Sequence, residues 1–193
     1  MRKLSGWLTL IMIAALPMLG GCVAAAVGGV ATGVLVAEDR RTLGTVTEDK
    51  GIEFKASSRV GERVKDAHLN FTSFNKMVLI TGEVPNAAAR DDAERITRAV
   101  ENVRGVFNET QVAANTALSS RTNDSYLTSK VKARFVDFGE GRPFNPVHVK
   151  VITENSVVYL MGLVKRAEGD AATEITRTTG GVQKVVRLFE YLE

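Results

Sequence analysis

Hydrophobic and polar positions along this chain run through one pattern twice. Leu69 and Phe71, then Met77, Val78, Leu79 and Ile80, form two β-rich runs separated by Phe74-Asn75-Lys76, the signature of a hairpin. Pro85-Asn86 then opens a helix, proline lacking the N–H that a first turn leaves unpaired and asparagine being able to cap. Ala89, Ala93, Ile96 and Val100 share one face of that helix at three- and four-residue spacing. Gly105 ends it, and residues 106–112 read as a last strand. Further on, Val147, Val149 and Val151 alternate with His148 and Lys150, and Thr153-Glu154-Asn155-Ser156 turns into the run 157–161. Gly180-Gly181 and the stretch 182–191 close this second round. Amphipathic helical stretches precede the two hairpins, at about 48–64 and 123–138.

The two rounds align residue by residue. His68-Leu69-Asn70-Phe71 lies over His148-Val149-Lys150-Val151, with Val78 over Val158, Gly82 over Gly162 and Val84 over Val164. One deletion later Ile96 pairs with Ile175, Val103 with Val182 and Val106 with Val185. A repeat of this kind fixes the architecture before any single element does. Each unit is α-β-β-α-β, a three-stranded mixed sheet packed on two helices, and the fold class is α+β. The strands alternate, so each sheet is expected to keep one wet face.

The N-terminal stretch follows other rules. Met1-Arg2-Lys3 is a short positive head, and the apolar run 4–19 is too short, at roughly 1.5 Å per residue, to span a ~30 Å hydrocarbon core. This is the anatomy of a secretory signal. It ends in Leu19-Gly20-Gly21-Cys22, which resembles a bacterial lipobox. The resemblance implies cleavage after residue 21 and acylation of Cys22, the only cysteine in the chain. Acyl chains contribute ~0.8 kcal/mol per buried methylene, so two or more on one residue anchor a protein almost irreversibly. Val23 after the cysteine favours the outer membrane under the sorting pattern of such lipoproteins. Residues 23–37 are Val, Ala, Gly, Leu and one Thr, and read as a membrane-hugging stalk; Gly29 and Gly33 make a GxxxG outside the apolar span that gives the motif its meaning. Glu38-Asp39-Arg40-Arg41 marks the exit to solvent. The expected divisions are a signal peptide at 1–21, acylated N-terminus and linker at 22–45, and folded units at 46–115 and 123–193.

Composition narrows the function. From Cys22 onward there are 23 basic and 22 acidic residues (25 basic in all, less Arg2 and Lys3), a net +1. Nucleic-acid binding through phosphate neutralisation needs a larger basic excess, and none is expected. A single cysteine excludes an intramolecular disulfide and any cysteine-built zinc site. No HExxH, GxSxG or clustered carboxylate–histidine set is present, so neither catalysis nor a metal or other cofactor is expected. His68 and His148 hold equivalent repeat positions, which reads as shared ancestry rather than a shared metal site.

An α-β-β-α-β unit with glycine between its second strand and second helix, as in Val78-Leu79-Ile80-Thr81-Gly82-Glu83-Val84 and Val158-Tyr159-Leu160-Met161-Gly162-Leu163-Val164, resembles the BON domain. Two such units behind a lipobox, with Cys22-Val23-Ala24-Ala25-Ala26, Gly44-Thr45, Asn123-Asp124 and Thr153-Glu154-Asn155, resemble the family of dual-BON outer-membrane lipoproteins. That resemblance implies residence on the periplasmic face of the outer membrane, binding of anionic phospholipids such as phosphatidylglycerol and cardiolipin through the second domain, and a role in envelope integrity. The rival reading is a protein-interaction adaptor whose open sheet edges and helices dock envelope proteins, such as the β-barrel assembly machinery or cell-wall amidase regulators, with no lipid recognition of its own.

The family's lipid-contacting element corresponds to residues 123–135 here. Asn123 or Asp124 is expected to cap that helix. Leu127, Val131 and Phe135 make its buried stripe. Beside the stripe lie Tyr126, Lys130, Ala133 and Arg134, with Lys132 to one side; these five are the candidate phospholipid-binding residues. Tyrosine suits the headgroup level, and Lys or Arg can lay their stems on the acyl boundary while their charges meet phosphate. A member of that family carries tryptophan where this chain has Tyr126, a departure expected to weaken interfacial insertion. Gly139-Glu140-Gly141-Arg142-Pro143-Phe144-Asn145-Pro146 has no counterpart in the first unit and reads as a loop.

Overall fold

A computed structural model describes residues 39–113, 118–139 and 145–193, with the side chains of 121–137 described within the middle segment. The expected signal peptide, Cys22 and most of the expected linker lie outside the described residues, as do residues 140–144 of the stretch expected to form a loop. Residues Arg40–Glu193 form one compact unit. Among the described residues the buried hydrophobic clusters lie inside it, so this stretch carries its own cores.

The first repeat runs α1 (Leu43–Arg63), β1 (His68–Phe74), β2 (Met77–Val84), α2 (Ala87–Arg98), β3 (Gly105–Asn108) and β4 (Gln111–Val112). The second runs α3 (Leu118–Gly139), β5 (Val149–Glu154), β6 (Val157–Val164), α4 (Arg166–Arg177) and β7 (Lys184–Tyr191), with a 3-10 turn at Pro146–His148. In each repeat an antiparallel hairpin is extended by a parallel strand that returns through a helix. β1 pairs with β2 from His68↔Glu83 to Phe74↔Met77, and β2 pairs in parallel with β3 and β4. β5 pairs with β6, and β6 in parallel with β7.

The hairpin turns are two-residue, Asn75-Lys76 and Asn155-Ser156, and all four residues have positive φ between 50° and 66°. That is the type I′ geometry that matches strand twist, and asparagine tolerates it best. The repeated glycine has an equally local cause. Gly82 sits at φ 109°, and a Cβ there would lie 2.0 Å from the His68 carbonyl oxygen; at Gly162 it would lie 2.5 Å from the His148 oxygen. His68 at the start of β1 and His148 just before β5 press their backbones onto this position, so only glycine fits.

Asn86 caps α2 as expected, its side chain accepting from the Ala89 N–H. Two boundaries differ from the pattern-based reading. The last strand of the first repeat breaks at Glu109-Thr110, because the Asn108 side chain turns back to accept from the N–H and hydroxyl of Thr110. The two long helices start five residues earlier than expected, and α1 is capped by Thr42, which accepts from the Thr45 N–H.

The expected wet face of each sheet is instead covered by the other repeat. In β2, Val78 and Ile80 face the helices with Ile52 and Ala56, while Leu79 joins Phe74, Tyr159 and Met161 in a cluster drawn from both repeats. In β6, Val158, Leu160 and Val164 face Val131, Phe135, Ala172 and Ile175. Each sheet thus has helices on one side and the other sheet on the other, giving four layers. The strands alternate as expected, but their second face is apolar enough (Leu79, Tyr159, Met161, Leu163) to require a cover, and the sister repeat supplies it.

Polar side chains pin this sheet-to-sheet contact. Glu154 Oε2 accepts from Asn70 Nδ2 and Thr81 Oγ1, both at 2.9 Å, and Glu83 Oε1 accepts from Asn155 Nδ2 at 2.8 Å. Lys150 Nζ reaches across to Glu53 at 3.0 Å, and Arg104 to Glu190 at 2.9 Å. Buried donors and acceptors that meet only in one register discriminate against slipped alternatives. Arg40 adds a bidentate pair to Glu168 at 2.6 and 2.8 Å, fastening the start of the first repeat to the second.

Candidate membrane-facing surface

α3 packs by the predicted stripe: Leu127, Val131 and Phe135 are each 2% exposed or less. The stripe continues one turn earlier, at Asp124, which is buried and does not cap the helix. Its carboxylate accepts from the backbone N–H of Asn155 and Ser156, at 2.9 and 2.8 Å. Asp49 plays the same part in the first repeat, accepting from the N–H groups of Asn75 and Lys76 and from the Ser73 hydroxyl. A helix aspartate therefore grips each hairpin turn, supplying charge to the N–H groups that a type I′ turn aims outward. The expectation of an N-cap at Asn123 or Asp124 fails because the helix begins at Leu118 and Asp124 is already on its core side.

The five candidate lipid residues separate into groups. Tyr126 is 65% exposed, and Ala133 and Lys132 are exposed as well. Lys130 and Arg134 lean toward the C-terminal end of α4. Lys130 Nζ donates to the Gly180 carbonyl at 2.9 Å. Arg134 donates to the Ile175 carbonyl and to the hydroxyls of Thr179 and Thr178, at 2.8, 2.7 and 3.2 Å. Helix C-termini present unpaired carbonyls and a partial negative charge, so these two cations have a structural use. Lys132 projects from another side of α3, toward α1, and has no hydrogen bond or ion pair among the described residues. Val136, absent from the sequence-based set, is 59% exposed. On the helical wheel it lies with Tyr126 and Ala133 on the solvent side, so α3 offers a mildly apolar outer strip with one uncommitted lysine beside it.

The two histidines differ in their surroundings. His68 Nδ1 lies 3.3 Å from the buried Glu83 carboxylate on β2, whereas His148 Nδ1 lies 3.7 Å from Glu168 on α4. Arg40 and the Lys165 N–H hold the Glu168 carboxyl below its ordinary range against the opposing effect of burial. Among the described residues no cluster of three or more His, Cys, Asp and Glu could hold a metal ion. Among them, too, no helix is long and apolar enough to cross a membrane.

The double α-β-β-α-β architecture defines the class. The BON domain family matches residues 48–114 and 123–193, and the chain belongs to that family in a two-domain form. It is 38% identical over 186 residues to the outer membrane lipoprotein DolP of Haemophilus influenzae, with 95% of each chain aligned. At that identity and coverage the chain stands among the dual-BON outer-membrane lipoproteins. It is also 29% identical to a 21 kDa hemolysin of Actinobacillus pleuropneumoniae over 80% of each chain. Osmotically-inducible protein Y of Escherichia coli is 27% identical over 74% of this chain and 72% of its own.

Proposed function

We propose that this lipoprotein, tethered through acylated Cys22, is a non-catalytic binder of anionic phospholipid that supports envelope integrity, with α3 of the second repeat as its membrane-facing element. The observation that carries the reading is the outer strip of α3, where Tyr126, Ala133 and Val136 are exposed beside Lys132 while the buried stripe holds the helix rigidly to the sheet. A lysine near an anionic surface contributes about 1 kcal/mol. Partial burial of Tyr126 and Val136 adds about 2 kcal/mol. The sum falls short of the ~4 kcal/mol of a millimolar complex. Such a surface orients a protein that something else holds down, and tethering supplies the effective concentration it lacks. Lys130 and Arg134 add to the local positive field without being free to follow a headgroup.

Flotation of residues 39–193 with vesicles tests this. Vesicles rich in phosphatidylglycerol or cardiolipin should retain the protein at low salt, and phosphatidylcholine vesicles should not. Equal retention on both would favour the adaptor reading, in which protein partners such as the β-barrel assembly machinery or amidase regulators dock on the repeats.

A further inference from the structure

A cleft of about 360 Å³ opens between α1 and the second repeat. Four cations line it: Arg41, Lys50, Lys132 and Lys150. Asp49 and Glu53 answer them. Asp49 pairs with Arg41 at 2.8 Å but is also engaged by the Asn75-Lys76 turn. Glu53 is shared by Lys50 at 2.6 Å and Lys150 at 3.0 Å. Lys132 adds the fourth positive charge without an ion pair among the described residues. Burial pushes the Lys150 ammonium below its ordinary pKa against the pull of Glu53, and Lys50 and Arg41 push weakly the same way. Like charges gathered in a half-enclosed space are relieved by a bound anion.

The walls between these cations include Phe74 and Val147, so the space suits an anion with an apolar attachment better than a hydrated ion. Both flanking helices point the same way. One turn beyond Lys50, α1 carries Phe54, 76% exposed, and one turn beyond Lys132, α3 carries Val136. Exposed apolar side chains next to a cationic cleft are what a bilayer surface rewards, since rings and aliphatic groups settle at the acyl boundary while cations meet phosphate.

We propose that the cleft between the two repeats takes the phosphodiester of an anionic phospholipid headgroup, held by Lys50, Lys132 and Lys150, with Phe54 and Val136 resting on the lipid around it. The inference rests on the phospholipid reading above and extends it: the first repeat contributes half of the headgroup site. α3 alone would leave Lys132 with no partner cation for a phosphate, whereas the paired repeats supply three ammonium groups around one space.

The test titrates residues 39–193 with monomeric dihexanoyl phosphatidylglycerol, dihexanoyl phosphatidylcholine and inorganic phosphate, following amide shifts by NMR. Phosphatidylglycerol should shift Lys50, Lys132 and Lys150 saturably, and the double variant Lys50→Gln, Lys132→Gln should bind about tenfold or more weakly. Phosphatidylcholine should leave the three lysines unmoved. Saturation by inorganic phosphate at the same midpoint as the lipid would overturn the headgroup as occupant. Lipid-induced shifts confined to Tyr126, Ala133 and Val136 would overturn the cleft and leave the α3 surface standing. No shift anywhere would also overturn the cleft, and vesicle flotation would then decide the α3 surface separately.

Discussion

Replacing Asp124 by alanine removes the clamp on the second hairpin and leaves the core stripe of α3 otherwise intact. Two charge-assisted bonds are lost, to the N–H groups of Asn155 and Ser156. Bonds of this type contribute about 1.5–3 kcal/mol each, and an abandoned buried donor costs about 1–3 kcal/mol. The turn is partly open, so water recovers some of the loss, and we expect about 3 kcal/mol of destabilisation. Asp49→Ala is the matched control in the first repeat. It loses two backbone donors, the Ser73 hydroxyl and the carboxylate partner of Arg41, which raises the expected cost to about 4–5 kcal/mol. Guanidinium unfolding of residues 39–193 measures both. Because the repeats share a buried sheet-to-sheet contact, each variant should unfold in one transition, shifted as a whole. A loss below about 0.5 kcal/mol for Asp124→Ala, the range of an ordinary surface substitution, would refute the clamp, as would a milder effect at Asp49.

Three further expectations follow from the same contacts. Gly82→Ala should destabilise more than Gly162→Ala, because its Cβ would approach a carbonyl oxygen more closely and its φ is positive; thermal unfolding ranks the pair, and equal midpoints would contradict the steric account. The Glu53 and Glu168 carboxyls are both held below their ordinary range, Glu53 by Lys50, Lys150 and the Ser73 N–H against the opposing effect of burial. A depressed carboxyl contributes stability that is present above its unfolded pKa and lost as pH falls through the folded one, so the unfolding midpoint should drop below about pH 4.5, and Glu53→Gln should flatten that fall. Tyr159, buried where the sheets meet near Glu109 and Glu154, has its phenol pushed up to about 12, chiefly by burial. Its contribution should be intact below pH ~10 and lost as pH rises further; a tyrosinate absorbance titration in which every tyrosine ionises near 10 while the fold persists would contradict the closed interface.

Much of this architecture was legible in the amino-acid pattern because repeats constrain each other. Gly82 over Gly162 and Asn75 over Asn155 mark the same backbone problem solved twice, and apolar periodicity places the helices and strands, with the two long helices starting one turn or more before the expected positions. The sheet-to-sheet contact was not legible. Leu79, Tyr159 and Met161 alternate with core residues as solvent-facing positions do, and only their size hinted at a cover. Asp49 and Asp124 also escaped, although each carried a signal: an acid on the apolar stripe, three residues before Ile52 and Leu127. On the candidate membrane-facing surface, spacing puts Lys130 and Arg134 beside Tyr126, but it could not show that the end of α4 lies close enough to engage them. Nor could it show that Lys132 opens toward the other repeat, since that neighbour comes from residues some 80 positions away.

The double variant Tyr126→Glu, Val136→Glu measures most directly the proposed role of α3 as the surface that meets acidic lipid. Both side chains are exposed, so circular dichroism and the unfolding midpoint should match the parent protein. Retention on phosphatidylglycerol vesicles at low salt should fall to the level seen with phosphatidylcholine. Retention equal to that of the parent, with the fold unchanged, would contradict the account.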